Sequence, residues 1–138
     1  MSVKGDPTGE KRGVSAIKLP VVARSFFAIA GQLDGQRIKV TVWGYADMRC
    51  QAALQEFLVA LDAEATRVRV EEVLMDIRAL DFMSSGCFKH FVTWLATAKQ
   101  ESRPYRIAFH SNPALHWQKL SLRALSCFAP DLVSVRES

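Results

Sequence analysis

The spacing of apolar positions changes several times along the chain, and each change marks an element. Phe26-Phe27-Ala28-Ile29-Ala30 is a short apolar run that stops at Gly31. Asp34-Gly35 is a strong turn signal, and Arg37-Ile38-Lys39-Val40-Thr41-Val42-Trp43 after it alternates polar and apolar at period two. The pattern predicts a hairpin with Ile38, Val40 and Val42 on one face. Gly44-Tyr45-Ala46-Asp47 breaks the alternation, and Asp47 suits a helix N-cap. From there Cys50, Ala53, Leu54, Phe57, Leu58 and Leu61 recur at helical spacing.

Val73-Leu74-Met75-Asp76-Ile77 is nearly continuous in apolar character, as in a strand covered on both faces. Leu80-Asp81-Phe82-Met83 then reads as a loop, and Ser84-Ser85-Gly86 opens a second helix. Its stripe is Phe88, Phe91, Val92, Leu95 and Ala98. At about 100° per residue, His90 and Trp94 point away from that stripe, so Trp94 reads either as an interface anchor or as a tryptophan covered by the tail or a neighbouring helix. Tyr105 to Phe109 is another strand. Asn112-Pro113 reads as an N-cap followed by proline at the first helical position. The third helix is expected to bury Trp117, Leu120, Ala124, Leu125 and Phe128, to stop at Pro130, and to lead into a last strand over Leu132-Val133-Ser134-Val135.

The order β-β-α-β-α-β-α-β defines an α/β fold: one open, mixed β-sheet with amphipathic helices packed on it through right-handed crossovers. At 138 residues and 49% hydrophobic content there is room for one domain with a sizeable core. Residues 1–24, rich in Gly, Lys, Pro and Ser, read as a flexible tail before a domain over 25–138. No apolar run approaches the roughly 18 residues of a membrane span, and the N-terminus lacks the apolar centre of a secretory signal. A cytoplasmic location is therefore expected, with no membrane partner. The net charge of +4 is spread rather than striped, which argues against a nucleic-acid footprint.

Candidate chemistry is sparse. The sequence holds no GxxxxGK[ST], GxGxxG, HExxH or GxSxG pattern. Cys50, Cys87 and Cys127 form no CxxC pair and sit among apolar residues, so all three read as buried, reduced thiols. His90, His110 and His116 offer no evident third metal ligand, and neither a metal nor a cofactor is expected. Cys87 near a helix N-terminus, with His90 one turn on, is the one conceivable thiol enzyme or redox sensor. An exposed hydroxyl at the Ser84-Ser85 helix start is the stronger candidate. A kinase can reach it, and a phosphate there adds about two negative charges.

Asp76-Ile77-Arg78-Ala79-Leu80-Asp81-Phe82-Met83-Ser84-Ser85-Gly86 resembles the signature of STAS domains, the family of bacterial anti-sigma factor antagonists and sulfate-transporter tails. That signature runs from an aspartate ending a strand to Asp-Ser-Ser-Gly or Asp-Ser-Thr-Gly at a helix start. Gly44-Tyr45-Ala46-Asp47 is similar to the family's Gly-Glu-Leu-Asp turn. The resemblance implies a non-enzymatic module that works by partner switching. A histidine-kinase-like anti-sigma factor or serine kinase would dock on Asp47, Met83, Ser84, Ser85 and Gly86 and phosphorylate a serine of the motif; His90 and Trp94 join this candidate docking surface from the helical wheel alone.

Met83 stands where the family has aspartate, and the loop is one residue shorter. Aligned from Asp76, Gly86 occupies the phosphoacceptor position, as in a non-phosphorylatable scaffold. Aligned from Gly86, Ser85 is the acceptor and Ser84 its neighbour. The second alignment is preferred on the ground that glycine fixes the turn geometry. The alternative function is a phosphorylation-independent scaffold or self-associating signalling domain, a homo-oligomer.

Overall fold

The computed structural model describes residues 17–138. A two-residue strand β1 (Val22–Ala23) precedes β2 (Phe27–Asp34) and β3 (Arg37–Ala46). A 3-10 turn (Met48–Cys50) then leads into α1 (Gln51–Val68), β4 (Glu72–Met83), α2 (Ser85–Lys99), β5 (Arg106–Ser111), α3 (His116–Phe128) and β6 (Val133–Glu137). The strands form one sheet in the order β1-β2-β3-β4-β5-β6. The first two pairings are antiparallel and the other three parallel. Each parallel step passes through one helix, and right-handed crossovers in sequential order place all three helices on one face. The sheet is mixed and the fold α/β, as the periodicity predicts.

The core lies between that face and the helices. Phe27, Ile29, Ile38, Val40, Val42, Val73, Met75, Ile107 and Phe109 project into it from the strands. Leu54, Phe57 and Leu61 of α1, Phe91 and Leu95 of α2, and Leu122 and Leu125 of α3 meet them. Each such burial stabilises the fold by roughly 1.5–3 kcal/mol. The β2–β3 hairpin closes as expected at Asp34↔Arg37, with Gly35 at a φ of 63° that favours glycine.

Several elements differ from the sequence reading. Of the expected tail, residues 1–16 lie outside the described residues, while 17–24 pack on the domain. The Lys18 amide donates to Glu64 Oε1 at 2.8 Å, Ile17, Leu19 and Val22 pack against the core, and Val22–Ala23 adds β1 to the sheet. Strand β2 does not stop at Gly31 but runs on to Asp34. A Cβ on Gly31 would lie 2.8 Å from Leu19 Cδ1, so the glycine makes room for this leading segment.

The expected loop Leu80–Met83 is instead the second half of β4, paired with β3 as far as Ala46↔Met83. Two register shifts, at Thr41/Trp43 and Gly44/Tyr45, scramble its period and hide it from pattern reading. Helix α3 starts at His116 rather than Asn112. The Asn112 side chain accepts from the Ala114 amide at 3.0 Å, an Asx turn ahead of the helix. The buried face of α3 is Gln118, Leu122 and Leu125; Leu120, Ala124 and Phe128 are exposed and Trp117 is half-buried. Cys127 is likewise exposed, whereas Cys50 and Cys87 are buried.

Candidate functional site

The upper ends of β3 and β4 and the first turns of α1 and α2 meet at one junction. Gly44 makes the approach possible: its φ is 95°, and a Cβ there would lie 2.2 Å from the Phe26 carbonyl oxygen. The Tyr45 amide donates to that same carbonyl at 2.7 Å. Asp47 then caps the 3-10 turn, its carboxylate accepting from the Arg49 amide at 2.9 Å and from the Arg49 guanidinium at 2.7 Å. These bonds to Arg49 hold the Asp47 carboxyl below the usual carboxylate range. The guanidinium itself lies 3.6 Å over the Phe26 ring, which fastens the turn to the start of β2.

The Asp47 carbonyl joins the two helix starts. It accepts from Cys50 Sγ at 3.3 Å and from Cys87 Sγ at 3.5 Å. Burial pushes the Cys50 thiol up to about 11, a neutral side chain that packs. Cys87 is fully buried and hydrogen-bonded to the backbone, an environment suited to packing rather than nucleophilic chemistry. Among the described residues no group of three His, Cys, Asp or Glu side chains converges.

Ser84 leaves β4 with its amide donating to the Ala46 carbonyl at 2.8 Å. Its backbone is extended (φ −72°, ψ 162°), and its Oγ accepts from the Cys87 amide at 3.2 Å, the N-cap bond of α2. Ser85 is the first helical residue and is exposed, with no side-chain hydrogen bond among the described residues. The glycine after it has ordinary helical backbone, so turn geometry does not explain it. Gly86 packs against the side chain of Gln51, the first residue of α1, whose amide nitrogen would lie 2.5 Å from a Cβ there. Met83 is half-buried beside Ala46.

His90 and Trp94 sit lower, on a groove between α1 and α2. The groove encloses about 230 Å³, with Leu58, Val59 and Trp94 on its apolar side and Asp62 and His90 at its polar side. Of the two readings of Trp94, the structure shows the covered tryptophan and not an exposed anchor. It is 3% exposed, and its indole N–H donates to the Tyr105 hydroxyl at 2.8 Å. That hydroxyl in turn donates to Asp62 Oδ1 at 2.7 Å, and burial pushes its own ionisation upward. The stripe of α2 is therefore centred on Cys87, Phe91, Trp94, Leu95 and Ala98, with Phe88 and Val92 half-buried at its side.

Gln118, absent from the sequence reading, and Asn112, read there only as a helix cap, shape the junction. β4 pairs with β5 only up to Asp76↔His110. Beyond that, the Gln118 amide nitrogen donates to the Ile77 carbonyl at 2.6 Å and the Leu80 carbonyl at 3.0 Å, and Asn112 Nδ2 donates to the Arg78 carbonyl at 3.2 Å. At the point of divergence Asp76 accepts from the Arg78 amide at 3.1 Å and its guanidinium at 2.8 Å, which lowers the carboxyl's pKa. The i, i+4, i+7 spacing of Gln118, Leu122 and Leu125 is the signal that would have found the glutamine.

Among solved structures, an anti-sigma factor antagonist from Mycobacterium paratuberculosis matches this chain with a TM-score of 0.63. The two share 16% sequence identity, over 83% of this chain and 88% of that chain. The fold is STAS-like. No family model matches the sequence, and no curated protein matches it. In this STAS-like domain the resemblance seen in Asp76–Gly86 falls on the second half of β4 and the start of α2. Asp47, Met83, Ser84, Ser85 and Gly86 come together there. His90 lies half-buried further down α2, and Trp94 lines the groove beyond it.

Proposed function

We propose that this chain is a non-enzymatic regulatory module that docks a protein partner on the junction of β3, β4 and α2, with Ser85 as its phosphorylation switch. The observation that carries the reading is the division of labour between the two serines. The Ser84 hydroxyl is engaged as the N-cap of α2, whereas the Ser85 hydroxyl faces solvent one residue later. A phosphate on Ser85 adds about two negative charges. The α2 N-terminus tolerates them, and an acidic or close-packed partner does not.

The likeness to a structure named as an anti-sigma factor antagonist supports a partner that is a protein. The motif resemblance supports a kinase-type partner, a histidine-kinase-like anti-sigma factor or a serine kinase, in a bacterial cytoplasm. No helix among the described residues is long and apolar enough to cross a membrane. Incubation with the cognate kinase-type regulator and ATP, followed by mass spectrometry, tests the switch. The expected result is one phosphate on the peptide containing Ser85. Modification elsewhere, or none, removes the switch.

A further inference from the structure

The sheet face opposite the helices is not evenly polar. Trp43 and Tyr45 on β3 and Phe82 on β4 expose 47%, 52% and 44% of their surface. Tyr45 and Phe82 are register partners with ring centroids 6.4 Å apart. Trp43 stands between Ala28 on β2 and Ala79 on β4. The three rings make a ridge. Beside it Ala28 and Ala30 on β2 and Ala23 on β1 form a flat shelf, bordered by Val21, which is 76% exposed.

No residue of the ridge or the shelf carries a charge. Aromatic side chains present roughly 150–250 Å² each, so the half-exposed ridge alone leaves on the order of 300 Å² open. With the shelf and Val21 added, the patch reaches on the order of 500 Å², at the upper end of what a monomer normally leaves open. A stable dimer buries about 800 Å² per partner. The patch supplies the apolar centre of such an area, and Gln32, Lys39 and Thr41 on the same face supply a polar rim.

We propose that a second copy of this chain covers this face in a two-fold dimer, the ridge of each copy seated on the shelf of the other. Trp43 is level with Ala28 and Ala23, Tyr45 and Phe82 lie beyond the first residue of β2, and Ala30 is level with Thr41. A two-fold axis running obliquely to the strands between ridge and shelf therefore brings each onto its complement. This is the self-complementarity an isologous contact requires. The interface lies on the face away from the α1–α2 groove, and dimer formation does not require phosphorylation of Ser85.

Sedimentation equilibrium of the full chain tests it. The wild type is expected as a reversible monomer–dimer mixture in the micromolar range. Phe82→Ser on the ridge and Ala30→Arg on the shelf should each weaken association at least about tenfold, with an unchanged circular dichroism spectrum. Val59→Ser, on the helical face, should leave it within about twofold, as should Ser85→Glu. A wild type that is monomeric throughout overturns the proposal. So does a dimer that survives Ala30→Arg, because it would use the ridge without the shelf, and a dimer lost on Val59→Ser, because it would use the helices.

Discussion

The side-chain amide of Gln118 bridges the Ile77 and Leu80 carbonyls, standing on the edge of β4 that β5 no longer pairs. Its own carbonyl accepts from the Asn112 amide at 2.9 Å, so one buried side chain ties α3, the β5–α3 turn and the bulged half of β4 together. Gln118→Leu leaves two buried carbonyls without donors, and each unsatisfied group costs about 1–3 kcal/mol. Urea denaturation should show a loss of at least about 2 kcal/mol. A loss below about 0.5 kcal/mol would mean that water replaces the amide at no cost.

This bridge also shows where the sequence was legible. Strands and helices with an unbroken period, such as Ile38-Val40-Val42 or Leu54-Phe57-Leu61, are placed correctly by spacing alone, because one buried face dictates them. Residues 77–83 are not, because two register shifts reset the alternation and side-chain amides replace a ladder. Trp94 is left open by spacing for a related reason. The helical wheel takes the apolar stripe as the buried face, but Tyr105 and Asp62 provide polar partners that let an indole turn inward. The serines of the junction are visible in sequence, but which of them has a free hydroxyl emerges only with the cap geometry.

The two serines should separate by stability. Ser84→Ala removes the N-cap of α2 and should cost about 1 kcal/mol, within the range of such caps. Ser85→Ala removes an exposed hydroxyl and should stay within about 0.5 kcal/mol. Thermal or urea unfolding of the pair checks this, and equal losses would contradict the assigned roles.

Asp76 gives the fold an acid-sensitive contact. Its folded pKa is depressed, first by the hydrogen bond from Arg78, so its contribution is present above the unfolded carboxylate value and is lost as pH falls through the folded one. Wild-type stability should therefore decline as pH falls below about 4, the ordinary aspartate range. Asp76→Asn should be less stable at neutral pH and decline less steeply. Parallel acid titrations of the two proteins would refute this if their slopes matched.

The three thiols should react in two classes. Cys127 is exposed and should react rapidly with a disulfide reagent in the native protein. Cys50 and Cys87, buried on the Asp47 carbonyl, should react only on unfolding. Fast native reaction of a second thiol would reopen a thiol-based role for Cys87.

Docking at the Ser84-Ser85-Gly86 helix start is the central claim, and titration calorimetry of the kinase-type partner against three proteins tests it most directly. Ser85→Ala should bind within about twofold of wild type, because the hydroxyl makes no structural bond. Ser85→Glu should bind at least about tenfold more weakly, a difference of about 1.4 kcal/mol. Equal affinity for all three proteins would place the partner elsewhere on the domain and contradict the account.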